Sequence, residues 1–175
     1  MSNQPSTQQP GKKLGKGMLY AFWLMALIGL TLFFQNRDKQ RYNPNQDHLN
    51  SLGGVPEVIL ESNAYHHYVA TGLINGHPVT FLLDTGATQV AIPAHLQNLL
   101  QLKPRGFFKV GTANGTVEVR GTTIDLLELG PIRLSNVRAA LNPGMTGDEI
   151  LLGMSALKQL EFTQKGNRLI VRQPL

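Results

Sequence analysis

An all-β fold, a small closed β-barrel with one or two short helices and preceded by a single transmembrane helix, is what this sequence predicts, and three observations predict it. Residues 18–34 are an apolar run without a charge. Beyond residue 56 the apolar residues come in short runs broken by turn formers, and 18 Gly and 10 Pro suit a β-rich domain with many turns better than a helical bundle. Two Asn-Gly dipeptides, Asn75-Gly76 and Asn114-Gly115, separate strand-like stretches, which is a strong hairpin signal. A chain of 175 residues has room for one domain of about 100–150 residues and an appendage.

Residues 1–17 are rich in Ser, Asn, Gln, Pro and Gly without an apolar period and are expected to be a disordered tail. Residues 18–34 as a helix extend about 25 Å, enough to cross a bilayer core at its short limit. Tyr20, Trp23, Phe33 and Phe34 lie near its ends, where aromatic rings favour the water boundary. A cleaved signal peptide competes with this reading, as does a buried soluble helix. The run is longer than a usual signal core, however, and ends in Leu32-Phe33-Phe34 rather than in small residues suited to cleavage. Lys12, Lys13 and Lys16 precede the span while Arg37, Lys39 and Arg41 follow it, so the charge bias nearly cancels; the usual dominance of the first segment gives an inside N-terminus and an outside domain. Residues 35–56 read as a polar linker.

The domain, residues 57–175, opens with alternating residues 65–74, then the Asn75-Gly76 turn and a strand over 77–83. Residues 89–92 form a second strand-like stretch. Pro93 stands at a helix start with Leu96, Leu99 and Leu100 behind it, predicting a short helix over 93–100. Strands follow over 107–113 and 116–129 around Asn114-Gly115, then over 132–141 and 169–171. Between the last two, the apolar run 150–154 leads into a helical pattern at 155–160.

The formal charge of +5 is confined to the N-terminal part. Up to Arg41, six bases face the single acid Asp38, and the remaining 10 bases and 10 acids cancel. A neutral domain gives no support to nucleic-acid binding, and the basic cluster reads as membrane flanking. The absence of cysteine suits either redox environment. His66 and His67, as strand neighbours, face opposite sides and cannot chelate one ion together, so no metal site is expected.

The chemistry concentrates at Asp84-Thr85-Gly86-Ala87, where a carboxylate follows the apolar run 79–83. Burying an isolated carboxylate is costly, so Asp84 needs donors, a proton of its own, or a partner that shares one. Gly86 permits a tight turn whose N–H points at the carboxylate, and the Thr85 hydroxyl can brace the loop. An ordinary surface turn is the plain alternative.

Phe81-Leu82-Leu83-Asp84-Thr85-Gly86-Ala87, then Thr112-Ala113-Asn114-Gly115, then Leu151-Leu152-Gly153 before a short helix, resemble the retropepsin-like (retroviral-type) aspartic proteases in their bacterial membrane-anchored, single-domain branch, over roughly residues 65–171. The resemblance implies a membrane-tethered endopeptidase that hydrolyses peptide bonds of peptide or protein substrates without a cofactor or metal. Its mechanism needs two carboxylates sharing a proton. This chain has a single Asp-Thr-Gly, and Asp38, Asp47, Asp125 and Asp148 lie in other settings. The resemblance therefore implies a homodimer, with Asp84 of each copy as the catalytic residue. It further implies that Thr85 reaches across the dimer, Gly86 donates to the carboxylate and Ala87 keeps the cleft floor small. Thr112, Ala113, Asn114 and Gly115 become a substrate-binding flap, and Leu151 and Leu152 structural support. The expected location is the inner (cytoplasmic) membrane, single-pass, with the domain on the periplasmic or outer side. The chain departs from the pattern in its short tail ending Pro174-Leu175 and in a flap without a glycine run. Two other readings are a noncatalytic peptide-binding or scaffolding domain of the same fold, and a small β-domain serving as a partner subunit of a membrane complex.

Overall fold

The computed structural model describes residues 11–46, 55–112 and 115–174. It divides into two units, Met1–Lys39 and Gln40–Leu175.

In the first unit the main feature is α1, Gly11–Tyr42. Its stretch Lys16–Tyr42 is long and apolar enough to cross a membrane by length and composition, with a mean hydropathy of 2.0 in its most apolar window. Every side chain from residue 16 to 35 is exposed. The Thr31 hydroxyl donates back to the Leu27 carbonyl at 2.8 Å, so its polar group is satisfied within the helix. The helix differs from expectation at both ends, taking in residues 11–17 of the expected disordered tail and 35–42 of the expected linker. Lys, Arg and Gln are good helix formers, and a nucleated helix extends residue by residue. Residues 1–10 of the tail and 47–54 of the linker lie outside the described residues.

The second unit is all-β. Strands β1 (Glu57–Glu61), β2 (Val69–Ile74), β3 (His77–Leu83), β4 (Val90–Pro93), β5 (Phe107–Thr112), β6 (Gly115–Leu129), β7 (Ile132–Asn142), β8 (Glu149–Leu152), β9 (Glu161–Lys165) and β10 (Arg168–Arg172) make two sheets. The larger has the order β2-β3-β8-β4-β7-β6-β5, and a further β2–β6 pairing brings the ladder back on itself. The closing seams are short: Leu73↔Glu128 and Ile74↔Leu127 between β2 and β6, and Ala91↔Leu151 between β4 and β8. The ring is therefore small and not a uniform barrel.

The β2–β3 hairpin forms where its sequence predicts. Asn75 and Gly76 have φ of 50° and 81°, the pair of positive values that a type I′ turn requires. Asn75 does more than turn the chain. Its side chain accepts from Leu126 N at 3.1 Å and donates to the Leu100 carbonyl at 2.9 Å, extending the β2–β6 seam. Inside the ring, alternate residues such as Ile74, Phe81, Ile92, Ile124, Leu127, Ile150 and Leu152 are fully buried. Each such side chain contributes about 1.5–3 kcal/mol of transfer free energy.

The smaller sheet has the order β1-β10-β9. Val58, Leu60, Leu169 and Val171 are buried on one face. On the other, Arg172 pairs with Glu57, and Arg168 with Glu61 at 3.2 Å. Neither β1 nor β9 is expected from sequence, because charged ends mask such short strands.

Four further expectations are corrected. The strand expected from residue 65 starts at Val69: the Asn63 side chain accepts from Tyr65 N and His67 N at 2.9 and 3.0 Å and holds residues 63–67 in a turn. His66 and His67 thus lie in that turn rather than on a strand. The helix expected over 93–100 is a 3₁₀ turn, Ala94–Leu96, followed by further turns. In the second hairpin Thr112 pairs with Gly115, so Gly115 already opens β6 rather than standing between the strands. Finally, residues 43–46 are not free linker. Asn43 and Asn45 are buried, and Asn45 donates to the Glu61 and Val69 carbonyls at 3.0 and 2.7 Å while accepting from Glu61 N at 2.8 Å.

Candidate active site

Asp84 is placed by two parallel strands. β3 and β8 run side by side in register from Thr80↔Glu149 to Leu83↔Leu152, so both end at the same level. Asp84 N donates to the Leu152 carbonyl at 3.2 Å, and the chain then turns, with Ala87 N donating to the Asp84 carbonyl at 3.3 Å. Within this turn Gly86 N donates to Asp84 Oδ1 at 2.8 Å. A bond of this kind orients the carboxylate. Asp84 and Ala87 are half-buried; Thr85 and Gly86 are exposed.

Beneath the turn lies the Leu-Leu-Gly segment. Met154 N donates to the Ala87 carbonyl at 2.8 Å, tying the loop to α2 (Met154–Leu157), the short helix after Gly153. Gly153 has no alternative here: a Cβ would lie 2.3 Å from the Gln89 carbonyl oxygen and 2.6 Å from that of Ala87. Ser155 accepts from Val90 N at 2.9 Å and donates to the Arg138 carbonyl at 2.6 Å, locking β4 and β7 to the same helix.

The Asp84 turn opens onto a cavity of about 780 Å³ shared with the β5–β6 hairpin. This is within the range of small-ligand and peptide side-chain sites. Asp84, Gly86, Ala87 and Thr112 all line it, so residues far apart in sequence are brought together. Thr85 is not on its wall. Gly115 is exposed with φ 106°, and Thr112 Oγ1 donates to its carbonyl at 2.8 Å. Ala113 and Asn114 lie outside the described residues. Further walls were not legible from motifs, among them Phe108 and Val110 from β5, Val119 from β6, and Ala140 and Asn142 from β7; Leu151 from β8, expected as structural support, lines the cavity as well. For Phe108 and Val110 the alternation along 107–112 was the available signal.

Among the described residues Asp84 is the sole carboxylate lining this cavity. Asp148 pairs with His95 at 3.0 Å on the surface, and Asp125 is exposed on β6.

Residues 70–159, 90 of the 175, match the family described as "gag-polyprotein putative aspartyl protease". A Sinorhizobium sp. protein named "Uncharacterized protein in cobV 5'region" is 31% identical over 114 residues, covering 63% of this chain and 49% of that protein. The chain thus spans about half the length of the curated relative it matches. Among solved structures, a retropepsin-like aspartic protease from Rickettsia conorii is similar at 23% identity, with a TM-score of 0.55 over 69% of this chain and 92% of that one. The match shows a shared fold. EIAV protease, solved with an inhibitor, matches at 22% identity and a TM-score of 0.42 over 51% of this chain and 84% of that one, too slight a likeness to add to this.

Proposed function

Since this chain belongs to the gag-polyprotein aspartyl protease family, of retropepsin type, we propose that it is an aspartic endopeptidase whose reaction centre is completed by a second copy. The observation that carries this reading is the lone carboxylate, oriented by Gly86 N at 2.8 Å, on the wall of a large and otherwise acid-free cavity.

Two Asp84 side chains brought together share one proton, because like charges at hydrogen-bond distance do not both ionise. The ionised carboxylate takes a proton from water as the water oxygen attacks the scissile carbonyl carbon. The protonated carboxyl gives its proton to the carbonyl oxygen. The tetrahedral diol then collapses, with a proton delivered to the amide nitrogen as the C–N bond breaks. Gly86 holds the carboxylate, exposed Thr85 is available to the opposing loop, and Ala87 keeps the floor small. The β5–β6 hairpin, through Thr112, Ala113, Asn114 and Gly115, closes over the peptide and excludes water.

α1 anchors the enzyme in the inner membrane with the N-terminus inside, and the substrate is a peptide or protein near that surface. Confinement to the bilayer raises the effective concentration of the two halves.

The test is Asp84→Asn in the full chain. Cleavage of a peptide library at mildly acidic pH is expected to fall by about 10³-fold or more, with thermal stability unchanged. Retained cleavage in the variant overturns the assignment. Peptide binding without cleavage by the unmodified chain instead favours a noncatalytic peptide-binding domain, for which the apolar walls Phe108, Val110, Val119 and Leu151 are equally suited.

A further inference from the structure

The second unit begins at Gln40, so the last three residues of α1, ending at Tyr42, belong to it. Asn63 holds that point, its Nδ2 donating to the Tyr42 carbonyl at 3.0 Å. The same side chain accepts from Tyr65 N and His67 N, Asn63 N donates to the His67 carbonyl at 2.8 Å, and Ser62 N donates to the Asn167 carbonyl at 2.8 Å. The entry of the chain, the 63–67 turn and the β9–β10 turn therefore share one end of the domain.

Within the 63–67 turn, Tyr65, His66 and His67 are exposed, Tyr65 by 69%, while Asn63 beneath them is buried. His66 holds φ at 61°, a left-handed conformation that costs a residue with a Cβ and persists where the surrounding bonds over-determine it. An aromatic ring and two imidazoles are thus set out on a stiff turn beside the point where the chain enters the domain.

Resting on the reading of α1 as a membrane anchor, we propose that this end of the domain docks on an anionic phospholipid surface. The apolar run ends at Phe34, and the eight helical residues to Tyr42 rise about 12 Å. Headgroups extend about 5–7 Å beyond the hydrocarbon, so chain connectivity alone keeps Tyr42, and Asn63 bonded to it, close to them. The Asp84 turn leaves the same end, since Leu83 N donates to the Tyr68 carbonyl at 3.0 Å. Docking therefore holds the proposed reaction centre on the bilayer side of the domain, where segments of other chains emerge from the membrane.

The charge of this end fits such a surface. Arg41, Lys165 and Arg168 are exposed here against Glu61, which Arg168 pairs at 3.2 Å. Lys165 is aligned with Arg168 across the β9–β10 hairpin, a like-charge pair, and among the described residues neither Arg41 nor Lys165 makes an ion pair. The other acids of the small sheet, Glu57 and Glu161, align with Arg172 at its far end, so the sheet is polarised along its strands. Lipid phosphates offset the repulsion between Lys165 and Arg168 and accept from the ring N–H groups of His66 and His67. Tyr65 adds an amphipathic ring of the kind that settles at the water boundary.

The experiment places the full chain in vesicles of phosphatidylcholine alone or with phosphatidylglycerol added. The chain contains no cysteine, so Ala64→Cys in the exposed turn carries a single fluorescent dye, read by quenching from lipid spin-labelled at the headgroup. Asn98→Cys is the control, exposed near Leu100 and the Asn75 turn at the other end of the β2–β3 hairpin. Dye at position 64 should be quenched about twofold or more when phosphatidylglycerol is present, and less as salt is raised, with position 98 unaffected. Arg41→Glu and Lys165→Glu should each lower the ratio of docked to undocked domain by about fivefold or more. Equal quenching in both lipids, equal quenching at position 98, or no response to either charge reversal overturns the docking face. A response to soluble polyglutamate but not to phosphatidylglycerol overturns it too, and assigns the face to an acidic protein. A chain that fails to float with vesicles of either composition overturns the anchor reading and the docking together, whereas one that floats without lipid-dependent quenching overturns the docking alone.

Discussion

Asp84 owes its position to backbone groups more than to side chains: a strand end shared with Leu152, a donor at Gly86, and a floor at Gly153. The last is the least replaceable. Gly153→Ala sets a methyl 2.3 Å from the Gln89 carbonyl oxygen, where only backbone movement can relieve it. The expected cost is about 3 kcal/mol or more, measured by denaturant unfolding, with the Asp84 loop displaced. Glu149 gives a residue-scale pH dependence. Burial at the start of β8 pushes its carboxyl up from the usual 4.5. In the window above 4.5 the native state therefore holds a proton that the unfolded chain has lost, and stability falls as pH rises through it. Glu149→Gln should melt slightly higher than the unmodified chain at pH 7, with the difference closing as pH is lowered to 4.5. A difference independent of pH would refute this account.

At the scale of elements, local signals and non-local contacts behave differently. The Asn75-Gly76 turn and the alternation of β2, β3, β6 and β7 were readable because turn chemistry and a period of two are properties of neighbouring residues. β9 and β1 were not, because five-residue strands with charged ends look like loop until a partner strand is known. Residues 43–46 looked like linker for the same reason. Asn45 acts as a strand substitute, bonding Glu61 and Val69 across gaps of 16 and 24 residues. Asn45→Ala should leave those backbone groups unsatisfied and cost about 2–4 kcal/mol by chemical denaturation; a loss below a few tenths would mean that water replaces the side chain.

For the whole molecule, this moves the start of the folding unit. A domain begun at Glu57, where composition would cut it, lacks Asn43 and Asn45 and their bonds to Thr71, Glu61 and Val69. Compared with one begun at Gln40, it should melt roughly 5–10 °C lower by calorimetry. Equal melting temperatures would return residues 43–46 to the linker. The membrane-length helix, the neutral β-domain and the Asp-Thr-Gly turn could all be read in linear order, since hydropathy, charge balance and turn chemistry need only short windows of sequence. The cavity walls at Phe108, Val119 and Ala140, the shifted second hairpin, and the seating of β10 between β1 and β9 could not. Each depends on which distant segments return to pair, and that choice is made by burial and hydrogen-bond satisfaction over the entire chain.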